Sequence, residues 1–184
     1  MSRVLAFDFG ASTGRAILAE YNGEKIEYNE IHRFDNVLCE QNGMLCWDFD
    51  YLLGEVKKAI SLAENADSLA FDTWGVDYGM LDKDGNLVSK PVCYRDDRTK
   101  GMTDKIYQSV SPSKLYAKTG NQIMPINTLF QLTADGTDNA EMFLFMPDLF
   151  AYSLCGAKSV DKTIASTSQM LDSVSYTHLT LPTT

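Results

Sequence analysis

Alternating and apolar runs divide the first third of the chain into short strands joined by tight turns. Apolar residues 4–7 and residues 15–19 flank a turn of small residues, which predicts an antiparallel hairpin. Residues 25–34 alternate polar and apolar side chains after the turn dipeptide Asn22-Gly23, so they predict a third antiparallel strand. The chain therefore opens with an antiparallel three-stranded unit.

A helical period follows this unit. Apolar side chains recur three or four positions apart over residues 50–64, which predicts a helix with one buried face. Asp48 or Asp50 is expected to cap its first turn. Further strands are predicted at residues 68–73, at residues 76–81 as their hairpin partner, and at residues 92–94.

Helices dominate the rest of the chain. Ser111 and Pro112 mark a helix start and Gly120 its end, and further helices are expected over residues 127–133 and 148–154. Asp148 is expected to cap the last of these. The order of three strands, a helix and another strand is typical of a ribonuclease-H-like or actin-like α/β core.

Composition narrows the function classes. The chain has 184 residues, 45% hydrophobic, and a net charge of −9, without the basic stripe that nucleic-acid binding needs. Its four cysteines lack zinc-ligand spacing, and no apolar run is long enough for a membrane span. The N-terminus carries no secretory signal, so we expect a cytoplasmic protein with reduced thiols.

The turn of the first hairpin carries candidate chemistry. Its small residues allow backbone N–H groups and hydroxyls to approach an anion, and its flanking charges suit phosphate and Mg²⁺. An ordinary tight hairpin also needs such residues, so the pattern alone leaves both interpretations open. The candidate phosphate-binding residues are Asp8, Gly10, Ala11, Ser12, Thr13, Gly14 and Arg15, with Asp8 also a candidate metal ligand.

A second candidate cluster follows the predicted strand 68–73. Trp74 and Gly75 offer a flat ring and a bare backbone beside a sugar, and Asp77 offers a hydroxyl acceptor. Arg95 and Asp96 add a donor and an acceptor. A core tryptophan with a turn glycine, and a solvated charged turn, remain as structural alternatives.

In collinear order over residues 3–172, these motifs resemble the N-terminal portion of the FGGY carbohydrate kinases. The resemblance implies a ribonuclease-H-like ATPase core of a sugar kinase, present as the N-terminal lobe only. The matching motifs include Asp8-Phe9-Gly10-Ala11-Ser12-Thr13-Gly14-Arg15, Gln41-Asn42-Gly43, Asp72-Thr73-Trp74-Gly75-Val76-Asp77, Tyr94-Arg95-Asp96, Met146-Pro147-Asp148 and Ala165-Ser166-Thr167-Ser168-Gln169.

The resemblance implies ATP and Mg²⁺ as cofactors and L-rhamnulose or a related ketose as the sugar, phosphorylated at its 1-hydroxyl. Residues 11–15 would bind the ATP phosphates and Gly75 would contact the sugar. The family's general-base aspartate has no matching position in this chain, so the chain alone is expected to be inactive. Another deoxysugar or pentulose kinase, a sugar- or nucleotide-sensing module, and a filament-forming actin relative are the alternatives.

The last residues differ from the rest. Residues 173–184 contain no charge and no helical period. The run Val174-Ser175-Tyr176-Thr177-His178-Leu179 looks like an in-frame translation of a sequencing-library adapter, although a threonine-rich tail is compatible with the composition. We expect a non-native tail on a fragment of a longer protein, which removes His178 from any site.

Overall fold

The computed structural model describes residues 2–174; the expected tail lies almost wholly outside them. Five strands precede the first helix, helices predominate after residue 102, and two short 3₁₀ turns occur at Asp97–Thr99 and Ser166–Ser168. In chain order the elements are β1 (Ser2–Phe9), β2 (Thr13–Tyr21), β3 (Ile26–Asp35), β4 (Leu38–Gln41), β5 (Met44–Trp47), α1 (Phe49–Leu62), β6 (Ser68–Asp72), β7 (Tyr78–Leu81), α2 (Met102–Tyr107), α3 (Pro112–Thr119), α4 (Thr128–Asp135), β8 (Met142–Phe145), α5 (Met146–Cys155) and α6 (Lys162–Ala165).

The main sheet has the strand order β3-β2-β1-β6. The first three strands are antiparallel, and β6 joins β1 in parallel, with Val4 opposite Ser68 and Asp8 opposite Asp72. A parallel neighbour needs a crossover, and α1 supplies it. The predicted order of three antiparallel strands, a helix and a further strand is confirmed.

The core lies on one face of this sheet. Leu5, Phe7 and Phe9 alternate along β1 and are at most 3% exposed, as expected for a strand with one buried face. The buried stripe of α1 packs in the same cluster, and so does Phe150 of α5, whose ring stacks on that of Phe9 at 4.7 Å. The core therefore extends to the last residue before the Gly10 turn.

One predicted strand pairing is wrong. The strand β7 is not the hairpin partner of β6, because it pairs antiparallel with β8 in a separate two-stranded sheet. The segment between β6 and β7 turns sharply, with Val76 at φ 68°, so β7 leaves the main sheet. The predicted strand at residues 92–94 is reduced to a single bridge between Val92 and Cys46.

The helices α3, α4 and α5 follow the sequence prediction, including the Ser111 cap and the left-handed Gly120 and Gly156 that end α3 and α5. The short helices α2 and α6 were not predicted. Two predicted caps are wrong. Asp48 precedes α1 but makes no cap bond, because its carboxylate binds Lys90 at 2.5 Å.

Asp148 is the other wrong cap, because it lies inside α5, which begins at Met146. One of its carboxylate oxygens accepts from the Asp161 amide at 3.3 Å, and burial raises the pKa of Asp148 to about 6. None of the helices in residues 2–174 is long and apolar enough to cross a membrane.

Candidate active site

The carboxyl ends of β1 and β6 place two carboxylates side by side. Asp8 and Asp72 are register partners, so both side chains leave the same face of the sheet at adjacent strand ends. Asp8 also faces Arg15 across the first hairpin, and the two form an ion pair. Sequence reasoning did not single out Asp72, because only the parallel pairing brings it beside Asp8.

Hydrogen bonds within the turn and from Asn36 hold the turn between β1 and β2. The Gly10 backbone amide donates to the Thr13 carbonyl at 2.9 Å. Asn36 donates from its side chain to the Gly10 carbonyl and from its backbone N–H to the Ser12 carbonyl. Ala11 and Ser12 are exposed, and their amides make no hydrogen bond within residues 2–174. Unpaired successive amides in a turn are the groups from which anion-binding sites are built.

Gly14 has a different reason to be glycine. A Cβ atom there would lie 2.4 Å from ring atoms of Phe34, far inside van der Waals contact. The missing side chain thus makes room for a buried ring of β3. Gly10 has no such restriction, since a Cβ atom at that position would meet only the Thr13 carbonyl at 3.5 Å.

Trp74 places the second predicted cluster next to this turn. Its indole packs edge-on against Phe9 at 6.2 Å and lies 4.1 Å from the ring of Trp47. Phe9 directly precedes Gly10, so the contact sets Trp74 and Gly75 beside the Gly10 turn. A Cβ atom on Gly75 would lie 2.9 Å from the Thr167 hydroxyl, which shows how closely the backbone approaches its neighbour.

Val76 adopts a left-handed backbone, which is a strained conformation for a β-branched residue. The surroundings hold it there. Its amide donates to the Thr167 hydroxyl at 3.1 Å, and its carbonyl accepts from the Thr128 hydroxyl at 2.8 Å and from Gln131 at 3.3 Å. Strain maintained in this way is typical of functional segments.

Asp77 lies at the centre of a buried hydrogen-bond network. Its side chain is only 1% exposed and accepts from the indoles of Trp47 at 2.7 Å and Trp74 at 3.0 Å. The Tyr94 amide and the Gln131 amide group complete the set at 3.1 and 3.0 Å. The sequence predicts an acceptor that faces a ligand, whereas here four protein donors surround the carboxylate.

Burial raises the pKa of Asp77 to about 6, against the opposing effect of its hydrogen bonds and of the Arg98 charge. The carboxylate is therefore ionised at neutral pH. Its network extends through Gln131, which accepts from Arg98 at 2.6 Å, and Arg98 in turn pairs with Asp135 at 2.6 Å. This chain of contacts ties the tryptophans to α4.

Buried polar residues at the start of α4 support the site. Asn127, Thr128 and Gln131 are at most 2% exposed, and Asn127 donates to the buried Gln169 at 2.9 Å. Thr128 and Gln131 hold Val76 and Asp77 in place through hydrogen bonds.

Arg95 and Asp96 point in different directions. The Arg95 guanidinium lies over the Tyr94 ring at 5.1 Å and reaches the Ala11 carbonyl at 3.4 Å, which joins it to the Gly10 turn. Asp96 accepts from the amides of Leu45 and Arg98, both at 2.8 Å, and so caps the 3₁₀ turn that follows. Both of its oxygens are thus used within the protein.

The structure therefore brings together the Gly10 turn, Trp74, Gly75 and Arg95, and it turns Asp77 and Asp96 inward. Sequence reasoning missed Trp47 and Thr167 as supports, since only tertiary contacts reveal them. Within residues 2–174 no group of three or more acidic, histidine or cysteine side chains forms a metal cage. The site offers strand-end carboxylates and the turn amides of Ala11 and Ser12 instead.

Comparison with known proteins agrees with this arrangement. The sequence model of the FGGY family of carbohydrate kinases, N-terminal domain, matches residues 3–177. The chain is 38% identical over 182 residues to a rhamnulokinase of Halalkalibacterium halodurans, covering 94% of the chain and 39% of that protein. It is 39% identical to a rhamnulokinase of Mannheimia succiniciproducens, covering 92% and 38%.

Solved structures agree in fold at low sequence identity. A xylulose kinase from Lactobacillus acidophilus matches with a TM-score of 0.80 at 16% identity, over 97% of this chain and 38% of that one. A glycerol kinase of Plasmodium falciparum with ADP matches with a TM-score of 0.75 at 13% identity, over 98% and 40%.

The chain spans less than two-fifths of the length of the rhamnulokinases it matches. The family match extends over almost all of the chain and includes the Gly10 turn and the Trp74–Gly75 segment. The chain belongs to the FGGY family of carbohydrate kinases and carries the N-terminal domain of that family.

Proposed function

We propose that this chain is part of an enzyme that transfers the γ-phosphoryl group of ATP to the 1-hydroxyl group of L-rhamnulose. The observation that carries the proposal is the contact between the two candidate clusters. Phe9 packs on Trp74, and Arg95 reaches the Ala11 carbonyl, so the candidate phosphate residues lie next to the candidate sugar residues Trp74 and Arg95. The names of the curated relatives support the choice of sugar.

The nucleotide side of the proposal uses residues 10–15. The amides of Ala11 and Ser12 and the hydroxyls of Ser12 and Thr13 would donate hydrogen bonds to the ATP phosphates. Arg15 would add a fixed positive charge. Its ion pair with Asp8 orients the guanidinium on the sheet face beside the turn.

A magnesium ion fits the carboxylates at the strand ends. Mg²⁺ binds through one or two carboxylates together with substrate phosphates and water, and Asp8 with Asp72 beside it offers that donor set. Asp8 would hold the ion in this proposal. When bound, the Mg²⁺ ion would neutralise negative charge on the ATP phosphates.

The sugar side would use Trp74 and Gly75 together with Arg95, which reaches the Ala11 carbonyl. Asp77 and Asp96 contribute by holding their neighbours: Asp77 fixes the Trp74 indole, and Asp96 fixes the turn that presents Arg95. Phosphoryl transfer depends mainly on positioning and electrostatic stabilisation. Side chains held by buried hydrogen bonds suit that role.

The general base is expected outside this chain. A two-lobed kinase closes around its substrates, excludes water and supplies a carboxylate that takes the hydroxyl proton. The curated relatives are more than twice as long as this chain, so such a group has room in the remainder of a parent protein.

A substrate panel on the full-length parent tests the proposal. ADP release with L-rhamnulose, L-fuculose, D-xylulose and glycerol is measured, and NMR locates the phosphate on the product. We expect L-rhamnulose to give the highest kcat/KM, with phosphate on its 1-hydroxyl. A higher value for another ketose would assign a different sugar kinase, and sugar binding without ADP release would favour a sensing module.

A matched pair of arginines separates nucleotide binding from general surface charge. Arg15 and Arg33 are register partners on β2 and β3, and Arg33 pairs only with the surface residue Glu30 among the ion pairs of residues 2–174. In the parent enzyme, Arg15→Gln should raise the KM for ATP about 10-fold, since a charge-assisted contact is lost. Arg33→Gln should leave it unchanged.

A further inference from the structure

The hairpin of β4 and β5 places two cysteines directly opposite each other. Its two-residue turn has Asn42 at φ 54° and Gly43 at φ 77°, the backbone that a tight hairpin requires. The register set by this turn pairs Cys39 with Cys46. Both are free thiols.

Opposed residues on antiparallel strands fit the geometry of a disulfide. Their side chains leave the same face, and their Cα atoms lie about 4.5 or 5.5 Å apart, depending on the type of pair. Disulfides span Cα separations of about 4.4–6.8 Å. The register therefore places Cys39 and Cys46 at a backbone separation that a disulfide can span.

The two thiols differ in access. Cys46 is 1% exposed, and burial, followed by the charge of Cys39, raises the pKa of its thiol. Cys39 is only partly buried. Cys39 is therefore the thiol that a small-molecule disulfide can reach first.

We propose that Cys39 and Cys46 form a reversible thiol–disulfide exchange site that takes small-molecule disulfides of the glutathione type. The Cys39 thiolate attacks one sulfur of the oxidised glutathione, forming a mixed disulfide and releasing one glutathione thiolate, which takes up a proton. The Cys46 thiol then loses its proton, its sulfur attacks the Cys39 sulfur, and the second glutathione leaves. Two thiols are oxidised and one glutathione disulfide is reduced.

The strand β5 connects the two cysteines to the residues that support Trp74 and Arg95. Trp47 follows Cys46 in β5, and its indole donates to Asp77. On the other edge of β5, the Leu45 carbonyl accepts from the Cys93 amide at 2.8 Å, and the Leu45 amide donates to Asp96. A covalent bond from β4 to β5 would thus fasten a strand that already supports Trp74 and Arg95. The proposal does not depend on the catalytic role of the chain.

The test uses the full 184-residue chain carrying Cys155→Ser, which removes the exposed thiol. After incubation with oxidised glutathione, we expect the mass to fall by two hydrogen atoms and the thiol count under denaturing conditions to fall from three to one. Peptide mapping should join Cys39 to Cys46, and dithiothreitol should restore both thiols.

Two variants on that background identify the order of attack. With Cys46→Ser, we expect a stable mixed disulfide of glutathione on Cys39, because the second thiol is missing. With Cys39→Ser, the buried Cys46 should react at least about 10-fold more slowly than Cys39 does, since burial disfavours its thiolate. An unmodified chain, a persistent mixed disulfide on Cys39 with Cys46 present, or a bond to Cys93 would overturn the proposal. Peptide mapping of the Cys155→Ser chain decides these outcomes even if a further variant does not fold.

Discussion

At the scale of single residues, Asp77 shows how burial changes the function of a side chain. A carboxylate beside an aromatic residue can bind a sugar hydroxyl, but this one has both tryptophans of the chain as donors. Charged acceptors form stronger hydrogen bonds than neutral ones. The carboxylate therefore fixes the positions of both indoles.

Replacing this carboxylate should destabilise the chain. In Asp77→Asn, the new amide group faces the Gln131 donor, so at least one buried bond is lost. We expect the free energy of unfolding at pH 7 to fall by about 2–3 kcal/mol. Urea denaturation followed by tryptophan fluorescence measures it. The exposed substitution Asp138→Asn is the control, and an equal loss in both variants would contradict the assignment.

The stability difference between the unmodified chain and Asp77→Asn should depend on pH. Because burial raises the pKa of Asp77 from 3.8 to about 6, the native state binds its proton more tightly than the unfolded state. The resulting stabilisation is present below about pH 3.8 and is lost as the pH rises through about 6. The stability difference between the chain and Asp77→Asn should therefore be about 1 kcal/mol larger at pH 5 than at pH 7. A constant difference would refute this.

At the scale of elements, the first hairpin combines two requirements in one short turn. Its tip carries amides without a partner among residues 2–174, which we propose bind phosphate, whereas its last glycine is needed by the packing of β2 on β3. The sequence attributes every small residue of the turn to the anion. A substitution at Gly14 should therefore affect stability, whereas one at the tip of the turn should affect binding.

A methyl group at Gly14 should be costly. In Gly14→Ala, the Cβ atom would overlap the Phe34 ring at 2.4 Å, and the ring belongs to the buried core. Overpacking of this kind lowers stability by about 1–3 kcal/mol, which thermal unfolding would detect.

Gly54→Ala is the matched control. Gly54 lies inside α1, and its Cβ atom would meet no other atom within 4 Å. Alanine favours helices over glycine, so this variant should be more stable by about 0.5–1 kcal/mol. Destabilisation by both substitutions would remove the packing argument for Gly14.

At the scale of the whole molecule, the chain holds one surface of a proposed two-sided site. The relatives it matches extend well beyond it, and we propose that the residue that takes the proton lies in the remainder of a parent protein. We predict that the purified chain releases no ADP in response to L-rhamnulose, because positioning of both substrates needs the second lobe. Sugar-dependent ADP release above a buffer control would contradict this.

The origin of the last residues can be tested directly. If residues 173–184 derive from an adapter, the genomic DNA should diverge from the present sequence near the codon of Asp172 and continue into a second kinase lobe. A genomic read through that codon decides between this outcome and a native threonine-rich tail.

The sequence by itself determined the local elements and the class of fold. The strands β1, β2 and β3, the helix α1 and the capped helix α3 follow from periodicity and from turn residues, because those signals act between neighbours in the chain. The motifs also indicated the family, which the comparisons confirmed.

Only the tertiary structure decided what each candidate residue contacts. It moved β7 away from β6, enclosed Asp77 between Trp47 and Trp74, and brought Arg95 to the Gly10 turn. The partners in these contacts are mostly far apart in sequence, so no local pattern specifies them. Burial and hydrogen bonding between distant segments therefore decided which polar groups remain accessible and which ones support the fold.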